Sequence, residues 1–192
     1  MHDERWRDVL AFWLDEIGPE GWYSGSAEID AACRRFEPLW REAHAGGLET
    51  WRFNPRRNLA YVIVTDQLPR NIFRGQGEAF ATDRRARAAA LMGIGRGWDL
   101  RVNEPERQFY YLPLMHSEVL ADQEKALRLI LARMPETGAD NLLHARAHRE
   151  VIRRLGRFPT RNAALGRRTT APEQAFLDEG GYGAVLRALQ PA

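Results

Sequence analysis

The residues best equipped for chemistry in this chain are histidines, arginines, asparagines and acids that stand where a helix should present apolar side chains. Leu59, Val62 and Ile63 mark one stripe at helical spacing, and the next positions on it are Asp66 and Gln67. Leu120, Leu127, Ile130 and Leu131 mark a second stripe, and four residues before Leu120 stands His116. On a third, Val151, Ile152 and Leu155 set the face, and His148 precedes Ile152 by one turn. An ionised carboxylate facing a core without a partner costs several kcal/mol, so Asp66 calls for a cation or a dense set of donors. Arg70 follows one turn later. Asn71, Arg74, Arg157, Arg161, Asn162 and Arg167 lie in two segments that each place Arg-Asn shortly after a proline, at Pro69 and at Pro159.

Two chemistries follow from this set. In the first, the groups satisfy one another and lock loops onto a helical core through ion pairs and caps. In the second, Arg, Asn and His donors converge on a bound anion, because guanidinium forks and carboxamides suit phosphate or carboxylate. The expected pocket is then lined by Asp66, Arg70, Asn71, Arg74, His116, Glu118, His148, Arg157, Arg161 and Asn162. If such a site is catalytic, His116 or His148 is the best general acid or base. Asp66 or Glu118 would then orient it, and Arg70 or Arg161 would stabilise negative charge. A metal is a sharper alternative: His144 and His148 are four apart and share a helix face, and His116 with Glu118 or Asp122 can complete a set. Against it, no Glu follows the first His as in a zincin helix. Ser117 lies between His116 and Glu118, but adjacent helical residues point apart, and no Gly-x-Ser-x-Gly elbow occurs.

The elements that must position these residues are helical throughout. A first helix after Asp3 carries Trp6, Val9, Leu10, Trp13 and Ile17 and ends at Gly18-Pro19. A second follows Ser26 through Ile29, Cys33, Phe36 and Trp40, with Pro38 placed to bend it. A turn with Leu48 and Trp51 leads to a third helix from about Arg56 to Leu68, stopped by Pro69. A fourth runs from about Glu78 to Met92, and Gly93, Gly95 and Gly97 read as a loop. That loop lacks the strand before and the Lys-Ser/Thr after that a phosphate-cradling loop requires. A long helix is expected from Pro113 to Met134 and another from Asp140 to Leu155, with Gly156 as its C-terminal cap. Thr170-Ala171-Pro172-Glu173 has capping-box spacing before a helix with Phe176 and Leu177, and a last short helix is expected between Gly180 and Ala192.

No stretch keeps the period-two alternation of a strand, so the fold class is all-α. At 192 residues, 44% hydrophobic and 28% charged, the chain has the composition of one folded domain over 1–192. The net charge is +2 and the basic residues are almost all Arg, with Lys125 the only lysine. They are interleaved with acids, which argues against nucleic-acid binding. Cys33 is the only cysteine, so neither an intrachain disulfide nor a Cys-based zinc site can form. No apolar run approaches the length of a membrane span or signal sequence, which makes the cytoplasm the expected location.

An ordered series of short motifs then carries a resemblance. Asp66-Gln67-Leu68-Pro69-Arg70-Asn71 with Arg74-Gly75 comes first, and Tyr111-Leu112-Pro113 with His116-Ser117-Glu118 second. His148 with Gly156-Arg157-Phe158-Pro159 and Arg161-Asn162 follows, and Leu165-Gly166-Arg167 with Thr170 closes the series. Together they resemble the bacterial domain of unknown function 924 family. The resemblance implies antiparallel helix pairs in a tetratricopeptide-like, right-handed array, and it brings no established activity and no cofactor. The chain departs from the family at Thr160, where His is frequent, and at Thr65, where an apolar residue is usual, so a mechanism needing a third His in that loop does not transfer. The reading that emerges is a protein binding a small anionic molecule. The alternatives are a helical scaffold for a peptide or protein partner and a metal-assisted hydrolase.

Overall fold

A computed structural model describes residues 3–190. Helices are the only regular elements among the described residues, in agreement with the all-α expectation. The chain forms two compact units, Met1–Pro113 and Leu114–Ala192.

In the first unit, α1 (Arg5–Leu10) runs directly into a π-helical stretch, Ala11–Ile17. Asp3 accepts the Arg5 N–H at 3.2 Å and so satisfies one of the open donors at the helix start. The helix α2 (Ala27–Cys33) begins at Ser26, whose Oγ accepts the Ile29 N–H at 3.2 Å. A 3-10 turn, Arg34–Phe36, joins it to α3 (Glu37–Ala45). Pro38 therefore sits in the first turn of a new helix, where its missing N–H costs nothing.

Asn54 caps α4 (Pro55–Val62), its Oδ1 accepting from the Arg56 and Arg57 N–H groups at 3.1 and 3.3 Å. The expected stop at Pro69 does not occur. The chain continues as a π-helical stretch, Ile63–Gln67, and then as α5 (Leu68–Ile72), with Pro69 in the first turn of α5. Proline cannot donate to the carbonyl four residues earlier, that of Thr65. The widened π turn accommodates the ring, and the Thr82 hydroxyl donates to the Thr65 carbonyl instead, at 2.6 Å. Trp40 Nε1 in turn donates to Thr82 Oγ1 at 3.0 Å. This buried chain of donors lets a proline stand inside a helical run.

The fourth helix also differs from expectation. A 3-10 turn, Gly77–Phe80, precedes α6 (Asp83–Gly95), so Gly93 and Gly95 belong to the helix and not to a loop. A Cβ on Gly93 would lie 2.4 Å from Tyr110 Cε1 and 2.9 Å from Asn58 Oδ1. Glycine is there for close packing of α6, which lies against α4. The core of this unit includes the fully buried Trp13, Trp51, Tyr61 and Phe109.

The second unit contains α7 (Leu120–Arg133), α8 (Ala139–Leu155), α9 (Ala171–Asp178) and α10 (Gly181–Leu189). The single long helix expected from Pro113 is broken. A helical turn, Leu112–Met115, ends before His116, and α7 starts at Leu120. The Gln123 side-chain amide causes the break to hold, because its Nε2 donates to the carbonyls of Leu114, Met115 and Ser117 at 3.3, 2.7 and 2.6 Å. The carbonyls of Met115 and Ser117 would otherwise be open, whereas that of Leu114 also accepts the Ser117 N–H at 3.2 Å. Ser117 Oγ donates to Asp122 Oδ2 at 2.6 Å and accepts the Val119 N–H at 3.2 Å. The helix face is consequently rotated: Gln123, Ala126 and Ile130 are buried, whereas Leu120 and Leu131 are 42% and 62% exposed.

The remaining elements agree closely with expectation. Gly156 caps α8 at φ 72°, and the Thr170–Glu173 capping box forms in both directions. Helix α8 packs against both α7 and α10, and the core comprises Ala147, Val151, Ile152, Phe158, Phe176 and Val185. Both Pro-led segments open short helical turns, at Leu68–Ile72 and at the 3-10 turn Pro159–Arg161. No helix among the described residues is long and apolar enough to cross a membrane.

Candidate functional site

The candidate residues of the first unit are spread over three small networks. Asp66 is fully buried, and Gln67 Nε2 donates to its Oδ2 at 2.5 Å. Arg70 donates to the Ala79 carbonyl and, at 2.7 Å, to Asp83 Oδ1, with its guanidinium 4.6 Å from the centre of the Phe80 ring. Arg74 grips Asp30 through two parallel bonds of 2.6 and 2.7 Å and donates to Asn71 Oδ1 at 3.0 Å. Asn71 donates onward to the Gln67 carbonyl at 3.3 Å. Arg70 and Arg74 are thus committed to carboxylates, Asp83 and Asp30, that spacing along the chain did not single out.

The second unit holds a larger polar assembly. Glu118 accepts the Phe158 N–H at 2.9 Å and a two-pronged contact from Arg167 at 2.9 and 3.1 Å. Burial alone would raise its carboxyl, but Arg167 and the Phe158 N–H outweigh burial and hold it below the usual carboxylate value. Arg157 donates through Nε and Nη2 to Glu173 at 2.5 and 2.9 Å. Asn162 Nδ2 reaches Glu173 Oε2 and Thr169 Oγ1, both at 3.3 Å. Glu173 also closes the capping box on the Thr170 N–H at 2.7 Å. With Arg157 as the dominant influence, its carboxyl falls to about 2. Glu118 and Glu173 therefore act as hubs that tie the 157–170 loop to helix starts.

One group of residues is placed differently. His148 projects from α8 between aromatic rings, with centroids 5.2 Å from Phe158 and 5.0 Å from Tyr182, and the His116 ring lies edge-on at 6.4 Å. Its Nδ1 is shielded from solvent and has no hydrogen-bond partner among the described residues. Burial, then the positive surroundings of His116, Arg161 and His144, push the imidazole down to about 3, so it is neutral near pH 7. Arg161 lies with its guanidinium 4.5 Å from the Phe158 ring centre. Tyr182 Oη is 2.6 Å from His144 Nδ1, and burial raises the phenol to about 12. These side chains, with Val151, Pro159, Thr160 and Phe176, surround a cavity of about 210 Å³.

Among the ten expected residues, His148 and Arg161 line this cavity, and His116 touches the His148 ring. Glu118, Arg157 and Asn162 are held in the neighbouring ion-pair hubs. Tyr182 and Thr160 were not expected. The signal for Tyr182 lay in an apolar tail helix, where a lone tyrosine carries no spacing relation to His148. The ligand set proposed for a metal does not assemble: among the described residues no three His, Cys, Asp or Glu groups come together in a geometry that could hold an ion. Glu118 is turned to Arg167 and Asp122 to Ser117 instead.

Comparison with known proteins agrees with this reading of the fold and assigns no reaction. No curated protein matches the chain. A solved structure of a protein of unknown function from Agrobacterium tumefaciens is similar, with 38% sequence identity over 92% of this chain and 98% of that one, and a TM-score of 0.84. The family model for bacterial proteins of unknown function, DUF924, matches residues 9–181. Since that match spans most of the helices described above, the chain belongs to the DUF924 family of bacterial proteins.

Proposed function

We propose that the protein binds a small anion, a carboxylate or phosphate, in the cavity of the second unit, with His148 and Arg161 as its principal contacts. The observation that carries the proposal is the His148 Nδ1, which is buried beside a void of about 210 Å³ with no partner among the described residues. A buried polar atom of this kind costs on the order of 1–3 kcal/mol, and an oxygen ligand would recover that cost. Burial is the main cause that suppresses protonation of His148, and the Arg161 guanidinium, which adds to it, is a positive charge that favours a bound anion. Apolar walls at Phe158 and Val151 would exclude water and strengthen each polar contact.

Within this site Arg161 supplies charge and a planar donor fork, His148 a neutral donor, and Tyr182 a phenol whose orientation His144 sets. The hubs at Glu118 and Glu173 hold the loop carrying Arg161. Binding is the function this arrangement supports. A calorimetric titration with phosphate, acetate and short dicarboxylates tests it. At least one anion should bind the wild type and bind Arg161→Ala and His148→Gln at least tenfold more weakly, given about 1.5–3 kcal/mol per charge-assisted bond. Equal affinity in all three proteins, or no binding to any, would remove the proposal.

A further inference from the structure

We propose that the first unit carries a separate site for a small zwitterion bearing an apolar group. A cavity of about 510 Å³, within the usual range for small-molecule sites, lies where three stretches of that unit meet. These are the π-helical stretch Ala11–Ile17, the first turn of α4, and the segment from Trp98 to Glu106. Leu14, Leu59 and Trp98 give it an apolar floor, and Trp98 is only 7% exposed. Around that floor stand two cations, Arg56 and Arg101, and two anions, Asp15 and Glu106.

The charges are the informative part. Several guanidiniums of this unit close on carboxylates: Arg5 on Glu42 at 2.6 Å, Arg70 on Asp83 at 2.7 Å and Arg74 on Asp30 at 2.6 Å. Among the described residues, none of Arg56, Arg101, Asp15 or Glu106 makes a side-chain ion pair, although all four border one cavity of balanced charge. Opposite charges kept apart around an apolar floor match a ligand that carries both signs on one end and a hydrocarbon group on the other. A carboxylate would meet the two guanidiniums, an ammonium would meet the two carboxylates, and the apolar group would lie on Trp98. Asp15 reaches the cavity from a π-helical stretch, a geometry that is rare in helices and recurs at functional sites.

The test uses the full chain and three probes: L-phenylalanine, its N-acetyl derivative, which lacks the ammonium, and 2-phenylethylamine, which lacks the carboxylate. Binding is followed by the Trp98 indole NMR resonance, assigned with Trp98→Phe. L-Phenylalanine should shift that resonance and bind about tenfold or more tightly than either singly charged analogue. The double variant Arg56→Ala with Arg101→Ala, and separately Asp15→Asn, should each weaken it by about tenfold or more, with melting temperatures unchanged because these side chains are exposed and unpaired. Leu14→Trp, which narrows the void and leaves the charges, should also weaken binding. No shift with any probe, equal binding of the three, or variants that retain wild-type affinity would overturn the inference. It is independent of anion binding in the second unit and can fail without affecting it.

Discussion

Acid should destabilise this protein well before its carboxylates titrate, and His148 should account for the effect. Its pKa is near 6.5 in an unfolded chain and about 3 in the folded one. The folded value is the depressed one, so between these limits the unfolded state binds the extra proton. The contribution is fully present above about pH 6.5 and is lost as pH falls, at about 1.4 kcal/mol per unit, until the folded imidazole itself protonates near pH 3. From about pH 7 to about pH 4 the loss comes to about 3 kcal/mol. Asp3, Glu150 and Glu173, each held at about 2 by arginine partners, add to acid sensitivity only below the ordinary carboxylate range of about 4. Their effect cancels when wild type is compared with His148→Gln. Urea unfolding of both proteins at intervals across this pH range supplies the comparison. Wild type should lose about 3 kcal/mol more than the variant over the interval. Parallel curves for the two proteins would show that His148 is not held neutral in the folded state.

Three further perturbations follow from the packing and the loop hubs. Gly93→Ala places a methyl group against Tyr110 and Asn58, a clash with two buried side chains, and should lower unfolding free energy by about 2–3 kcal/mol in denaturant titrations. Thr82→Val removes the donor to the Thr65 carbonyl and the acceptor for Trp40 Nε1, both buried. It should cost about 2–4 kcal/mol and, by near-ultraviolet circular dichroism, alter the Trp40 environment. Glu173→Ala should release Arg157, Asn162 and the capped start of α9 together, so amide exchange should quicken across residues 157–173 while α7 amides keep their protection.

Much of this architecture was legible in periodicity and punctuation. The Ser26 cap, the Gly156 cap and the Thr170–Glu173 box rest on local chemistry, and local chemistry is what a sequence displays directly. The failures share a physical cause, which is a distant side chain replacing a local bond. Pro69 does not end its helix because Thr82, thirteen residues later, takes the carbonyl that the proline leaves open. The long helix breaks at His116 because the Gln123 amide satisfies three carbonyls that a helix would have used. Gly93 looked like loop punctuation, and its reason is the Tyr110 ring against it. For the site, helical stripes found His148 on the face shared with Ile152. They misplaced His116, since the stripe reaching it from Leu120 is interrupted. The carboxylate partners Asp30 and Asp83, and the contacts of Glu173 with Arg157 and Asn162, escaped notice because pairing over such separations is set by packing and leaves no period in the chain.

The proposed anion site is tested most directly at the atom on which the proposal rests. In protein labelled with nitrogen-15 at histidine, the His148 ring should report a neutral imidazole throughout the range from about pH 7 to about pH 5. Saturating phosphate or a short carboxylate should move its Nδ1 resonance and raise its pKa, because a bound negative charge favours the imidazolium. Arg161→Ala should abolish both changes. A His148 resonance that stays fixed while every such anion is raised to high concentration would contradict the account.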